Sequence, residues 1–167
     1  ELLNSTLVLN SALATSMARL SPTTSIVNGP ATLTLSSGVT TLFTTSTLNA
    51  PAVVEAGATL DLLSSDQLGT LTNGGTVLAR GSSTSNGLIT TQSGSVLRVI
   101  GASANAVLTV ANGFTNTAAI ELTSSGGGFG ATLNVTAGTL TNSPTGTITS
   151  LAGAAGARNL GAQLDNQ

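Results

Sequence analysis

Glu55, Asp61 and Asp66 fall within one short stretch, PAVVEAGATLDLLSSDQ, and form the densest group of reactive side chains in this 167-residue sequence. Paired carboxylates can cleave a glycosidic bond, one protonating the leaving oxygen while the other acts as nucleophile or base. Asp61 stands at an outward position of ATLDL (58–62), and Arg98 occupies the same position two repeats later, roughly 10 Å away at ordinary strand spacing. The other titratable residues are Glu1, Glu121, Asp165, Arg19, Arg80 and Arg158, and there is no His or Cys. The usual nucleophilic triads and soft-metal sites are therefore excluded. A polysaccharide lyase or hydrolase would add aromatic platforms and more ionic neighbours, and three Phe with no Trp or Tyr do not supply them. The expectation is a solvated cluster, with no catalytic residue, no metal site and no cofactor.

Other motifs are weaker. GGGFG (126–130) has the glycines of a phosphate-cradling loop but neither the following helix nor the lysine, so it reads as an insertion. Calcium-binding nonapeptide repeats need an aspartate in every turn, and the chain has three. NST (4–6) and NVT (134–136) match a glycosylation acceptor pattern. Only 6% of residues are charged, the net charge is −2 and no lysine is present. That argues against nucleic acid as a partner and against docking on anionic lipid. No apolar run reaches the ~18–20 residues of a membrane helix, so no membrane insertion is expected. With 40% apolar residues the chain is also unlike a charged, disordered one.

What positions these residues is a repeat. Glycines at 38, 57, 75, 94 and 113 are 19, 18, 19 and 19 residues apart, and Gly138 follows after an insertion, SSGGGFG (124–130). Three residues before each glycine stand Leu35, Val54, Thr91, Val110 and Val135, with Leu71 added by counting from Gly74. Five before stand Leu33, Ala52, Gly69, Ile89, Leu108 and Leu133. Between them the column reads Thr34, Val53, Thr70, Thr90, Thr109 and Asn134. Side chains alternate faces along a strand, so two inward columns flank one outward column. Gly38, Gly57, Gly74, Gly94, Gly113 and Gly138 are then stacked corners, and Asn49, Asp66, Asn86 and Asn105 a second set. Second strands follow at ATLDL, TVLAR (76–80) and SVLRV (95–99), with room for a third per period. The first twenty residues and AGAAGARNLGAQL (152–164) have helix-compatible Ala and Leu but are read as strands or cap-like segments.

A unit of this size cannot bury its inward face alone, and stacking solves the problem. The sequence predicts an all-β fold, a parallel β-helix (β-solenoid) of about 19 residues per coil and of right-handed sense. Residues 1–25 are expected to form an N-terminal coil or cap-like segment, 26–152 the repeats with the 124–130 insertion, and 153–167 the start of a further coil. The chain reads as a segment of a longer protein.

The outward threonines Thr34, Thr70, Thr90 and Thr109 and the triplets at 32–34, 70–72, 139–141 and 147–149 raise ice binding. The flanking column, Thr32, Pro51, Leu68, Leu88, Val107 and Thr132, is not a second threonine ladder, and the triplets fall at different phases. Stacked threonine is also the ordinary choice for a sheet surface with few charges. The apolar stripe Leu68, Leu88 and Val107 suggests lateral packing on a neighbour.

The coil length, the Gly and Asn corners, TLTN (70–73 and 139–142) and LDNQ (164–167) resemble the β-helical stalks of secreted bacterial surface proteins, the filamentous-haemagglutinin-like proteins and autotransporter passengers. The resemblance covers residues 26–150 and rests on pattern. It implies a non-enzymatic structural or adhesive rod, extracellular or on the bacterial cell surface. Expected partners are other copies, end to end or laterally, or a cell-surface glycan. Ice or carbohydrate binding is the alternative, and polysaccharide cleavage the least favoured.

Overall fold

The computed structural model describes residues 1–15 and 20–167, which form a parallel β-solenoid of about eight turns. Arg19 lies outside the described residues. Coils 1 to 6 carry three short strands, one on each of three faces, here called sheets A, B and C, and in coils 7 and 8 the B and C strands run together as one. Coil 1 holds Leu2–Leu3, Thr6–Val8 and Leu13–Thr15; coil 2 holds Pro22–Thr23, Ile26–Asn28 and Leu33–Leu35. Coils 3 and 4 follow with Thr40–Thr44, Thr47–Leu48 and Ala52–Val54, then Thr59–Leu63, Asp66–Gln67 and Leu71–Asn73. Coil 5 holds Thr76–Arg80, Ser82–Ser85 and Ile89–Thr91; coil 6 holds Val96–Gly101, Ala106–Val110 and Phe114–Asn116. In coil 7, Ala119–Ser124 precedes a long strand, Ala131–Asn142, that runs through the turn from sheet B to sheet C. Coil 8 repeats this with Thr147–Ser150 and Arg158–Asn166. The helix-compatible Ala- and Leu-containing segments hold no helix among the described residues: the first is short strands joined by turns, and the second is a loop at 151–157 followed by the strand Arg158–Asn166.

Parallel pairing gives each strand a partner one coil away, and the inward positions stack into columns. On sheet A one column runs Thr41, Leu60, Val77, Leu97, Ile120 and Ile148. Its neighbour runs Phe43, Leu62, Ala79, Val99 and Leu122. Phe43 is the largest fully buried side chain, and the small Ala79 sits two coils above it. Varying side-chain size along a column in this way keeps a narrow interior close-packed.

The coils are not of equal length. The register pairs Leu2 with Pro22, Thr23 with Thr44, Leu42 with Asp61, Asp61 with Leu78, Leu78 with Arg98, Arg98 with Glu121 and Glu121 with Thr149. Successive steps are thus 20, 21, 19, 17, 20, 23 and 28 residues.

The variation has two physical sources. At the turn from sheet C to the next sheet A, Asn73 and Thr76 are joined by Gly74–Gly75 alone, whereas Val54 and Thr59 are joined by four residues. At the turn from sheet A to sheet B, coils 1 to 5 use one left-handed residue: Asn4, Thr24, Thr45, Ser64 or Gly81. Coils 6 to 8 use loops instead, at 102–105, 125–130 and 151–157.

A buried serine spine accompanies the tight turns. The backbone N–H of Ser5 donates to Ser25 Oγ (3.1 Å), Ser25 to Ser46 Oγ (3.0 Å), Ser46 to Ser65 Oγ (3.0 Å) and Ser65 to Ser83 Oγ (3.2 Å). Each corner turns its N–H away from the regular ladder, and the serine of the next coil satisfies it, since a buried orphan donor is costly. In the looped half the polar spine moves to the turn from C to A. There Asn116 Nδ2 donates to Asn142 Oδ1 and Asn142 Nδ2 to Asn166 Oδ1, both at 2.8 Å.

Candidate functional site

The three carboxylates of the opening stretch do not converge. Glu55 lies exposed in the turn from C to A, Asp61 faces outward on sheet A, and Asp66 lies on sheet B. Asp61 is only 8% exposed and is held by Arg80, whose Nε and Nη2 donate to its two oxygens at 2.9 and 2.6 Å. Asp66 accepts from Thr84 Oγ1 at 2.6 Å. Arg98 does share a column with Asp61, with Leu78 between them, but its partner is Glu121 of the next coil at 2.6 Å. Both ion pairs thus lie on the outer face of sheet A and are matched one to one. Among the described residues no three His, Cys, Asp or Glu side chains gather as metal ligands.

The outward threonines are divided by the register. Thr34 and Thr90 share a sheet C column, with Val53 and Thr72 between them. Thr70 stands one position earlier on the same face, stacked between Pro51 and Leu88. Thr109 lies on another sheet, between Thr84 and Asn134 on sheet B. The single column Thr34, Thr70, Thr90, Thr109 is therefore corrected to three positions. Two corners of unequal length separate these threonines. The short Gly74–Gly75 turn displaces coil 4 by two residues against a fixed period. The 102–105 loop then brings a sheet B strand to the place in the count where a sheet C strand would stand.

The corner glycines divide in the same way. Gly38, Gly57 and Gly94 turn from C to A with φ of 79, 80 and 82°, a left-handed backbone that suits glycine. Gly74 belongs to the shortened form of that corner. Gly113 and Gly138 lie against one another at the turn from B to C. The second corner set separates too: Asn49 and Asn86 belong to the turn from B to C, Asp66 to sheet B, and Asn105 to a sheet A loop. The proposed apolar stripe also breaks up, because Leu68 and Val107 belong to the sheet B side and Leu88, 62% exposed, immediately precedes the sheet C strand Ile89–Thr91.

The correct register brings together what counting kept apart. The triplets 32–34, 70–72 and 139–141 all lie on sheet C at one phase, and only 147–149 lies elsewhere, on sheet A. Pro51, Val53, Leu88 and Gly113 interrupt the array, so the face is not a continuous threonine lattice. At Gly113 it sinks into an open depression of about 430 Å³ lined by Asn112, Gly113, Phe114, Thr115, Ala137, Gly138, Thr139 and Thr141. A second cavity, about 170 Å³, lies under the first looped corner between Leu63, Ser64, Arg80, Gly81 and Ala102–Ala104. Its one charged group, Arg80, is already bonded to Asp61.

Reading the sequence missed the serine spine, although Ser5, Ser25, Ser46, Ser65 and Ser83 recur at 18 to 21 residues and were available as a signal. It also missed the Arg80–Asp61 bond, because a diagonal contact between neighbouring coils leaves no fixed spacing. Comparison with protein-family models, with curated proteins and with solved structures finds no match to this chain.

Proposed function

We propose that this chain is a non-enzymatic rod segment of a large bacterial surface protein, working outside the cell as a stalk or adhesive element. The observation that carries the reading is the parallel pairing that runs without a break along two faces, sheet A from Leu2 to Ser150 and sheet B from Thr6 to Asn166, and makes the segment one continuous hydrogen-bonded stack. At ~4.8 Å per coil, eight coils make a rod of roughly 40 Å. Stiffness follows from repetition, since each coil is held by its neighbours and load is shared among many backbone bonds. The dispersal of Glu55, Asp61 and Asp66 supports a role without catalysis. The low charge and the resemblance to haemagglutinin-like and autotransporter stalks support the surface location. Self-association, end to end or lateral, fits the same reading.

The test is immunogold electron microscopy of the native cells with an antibody to this segment. The expected result is label on projections, filaments or a surface layer. Label confined to the cytoplasm overturns the proposal.

A further inference from the structure

We infer that the depression on sheet C is a binding site for an uncharged glycan chain. Its lining carries the groups such a ligand needs and none that favour an ion. Asn112 offers its amide oxygen, its Nδ2 already donating to the Asn86 carbonyl, Thr115, Thr139 and Thr141 offer hydroxyls, and Ala137 with Gly113 and Gly138 leaves a low apolar floor. A pyranose has the matching make-up, with hydroxyls at its rim and C–H groups on its faces. Binding sites of this type combine apolar contact with a few convergent polar groups.

The hydroxyls are also available. Thr115 and Thr141 face outward on paired rungs. By contrast, Thr91 and Thr117 nearby spend their hydroxyls on one another and on the Thr91 and Thr115 carbonyls. Below the depression the column continues through Thr90 and Thr72, whose strand packs in order beneath Phe114–Asn116. On the paired rungs, Thr72 with Thr90 and Thr115 with Thr141, hydroxyls recur at ~4.8 Å, close to the length of one sugar unit in an extended chain. The glycan therefore runs along the rod axis, seated at Gly113 and touching one threonine per coil. An open site with so few anchors binds weakly by itself, and repetition along the chain raises the avidity. Such a site would stand on a rod or on an isolated domain alike, so its failure leaves the structural role untouched.

The test is a titration of the isotope-labelled chain, read by NMR, with cellohexaose, mannohexaose, galactohexaose and chitohexaose, and with heparin as a charged comparison. The expected result is shifts at 112–115 and 137–141 extending to Thr90 with at least one neutral hexaose, and none from heparin at matched concentration. Thr115→Val and Thr141→Val together should weaken binding at least fivefold, Thr115→Ser should retain it, and Thr47→Val on sheet B should leave it unchanged. The amide spectrum of each variant reports its fold in the same sample. No shift from any neutral hexaose overturns the proposal, as do shifts confined to sheets A or B, or binding of heparin alone. Ice-growth inhibition lost in the Thr115→Val, Thr141→Val variant, without any glycan shift, assigns the face to ordered water and also overturns it.

Discussion

In coils 1 to 5 the chain leaves sheet A through one left-handed residue and a serine, buried in coils 2 to 5; in coils 6 to 8 it leaves through loops of four, six and seven residues. The first arrangement makes the corner part of the core. Its donors and acceptors are matched coil by coil, so the length and the serine are fixed while the left-handed residue varies among Asn, Thr, Ser and Gly. The second moves the corner out of the stack, where length can grow at small entropic cost. Asn105 Oδ1, accepting from the Gly130 N–H at 2.8 Å, ties the first two loops together, and Arg158, donating to the Ala154 and Gly156 carbonyls, braces the third from within. The lesson is that a solenoid tolerates insertion at one corner once its polar spine runs along another, here the Asn116–Asn142–Asn166 ladder.

The most damaging change should be Gly87→Val. A Cβ at Gly87 would fall on the Gly69 carbonyl oxygen of the coil below, a backbone atom that cannot turn aside. A loss of about 4 kcal/mol is expected from such a clash. Hydrogen exchange resolved by residue should show protection lost first in coils 4 and 5. Retained protection there would mean that tight coils yield as easily as looped ones, and the contrast would fail.

Ser65→Ala comes next. It leaves the buried N–H of Ser46 without its acceptor and removes the bonds from Ser65 Oγ to Phe43 and Leu63. The expected cost is about 2 kcal/mol. Ser103→Ala, in the exposed loop of coil 6, should change stability by less than about 0.5 kcal/mol. Equal urea-denaturation shifts for the two would show that the spine carries no special weight.

A smaller effect of opposite sign is expected for Thr45→Gly. Thr45 is a β-branched residue at φ 48°, a strained conformation that glycine adopts freely. Relief of that strain outweighs the added chain entropy, so the variant should be more stable by about 0.5–1 kcal/mol. A melting temperature that falls would show that the threonine side chain stabilises the corner by more than its strain costs.

The least effect belongs to Arg80→Gln. The Arg80 side chain is 30% exposed, and the glutamine keeps an amide donor for Asp61, whose side chain is 12% exposed, so a loss of about 0.5 kcal/mol is expected. Raising salt should shrink the difference from the parent chain. A salt-independent loss of several times that size would make the pair a structural fastener rather than a surface contact.

The parts that could be read in the residues are instructive. The alternation in ATLTL, AVVEA and LITTQ placed Leu33, Val53 and Thr90 on the correct faces, and ATLDL put Asp61 and Arg98 in one column. AVLTVANG shows the limit. It has the same alternation and ends on a glycine 19 residues after Gly94, yet Ala106–Val110 lies on sheet B and not on sheet C. A strand's pattern reports which side faces inward and carries no label for the sheet it joins. Likewise the Thr115–Thr141 depression could not be read, because its two walls come from coils 26 residues apart.

Strand alternation, β-branched content and recurrent Gly and Asn are local properties, and by themselves they determined an all-β solenoid of short coils. Charge and residue content likewise narrowed the possible chemistry without reference to shape. Only the stacked structure decided which corner each glycine turns, which threonines share a face and which carboxylate meets which arginine. The physical reason is that a coil takes its register from the hydrogen bonds of the coil beneath it, at a distance of 17 to 28 residues that varies with each corner. A constant period counted along the chain drifts from that register at the first short turn or long loop.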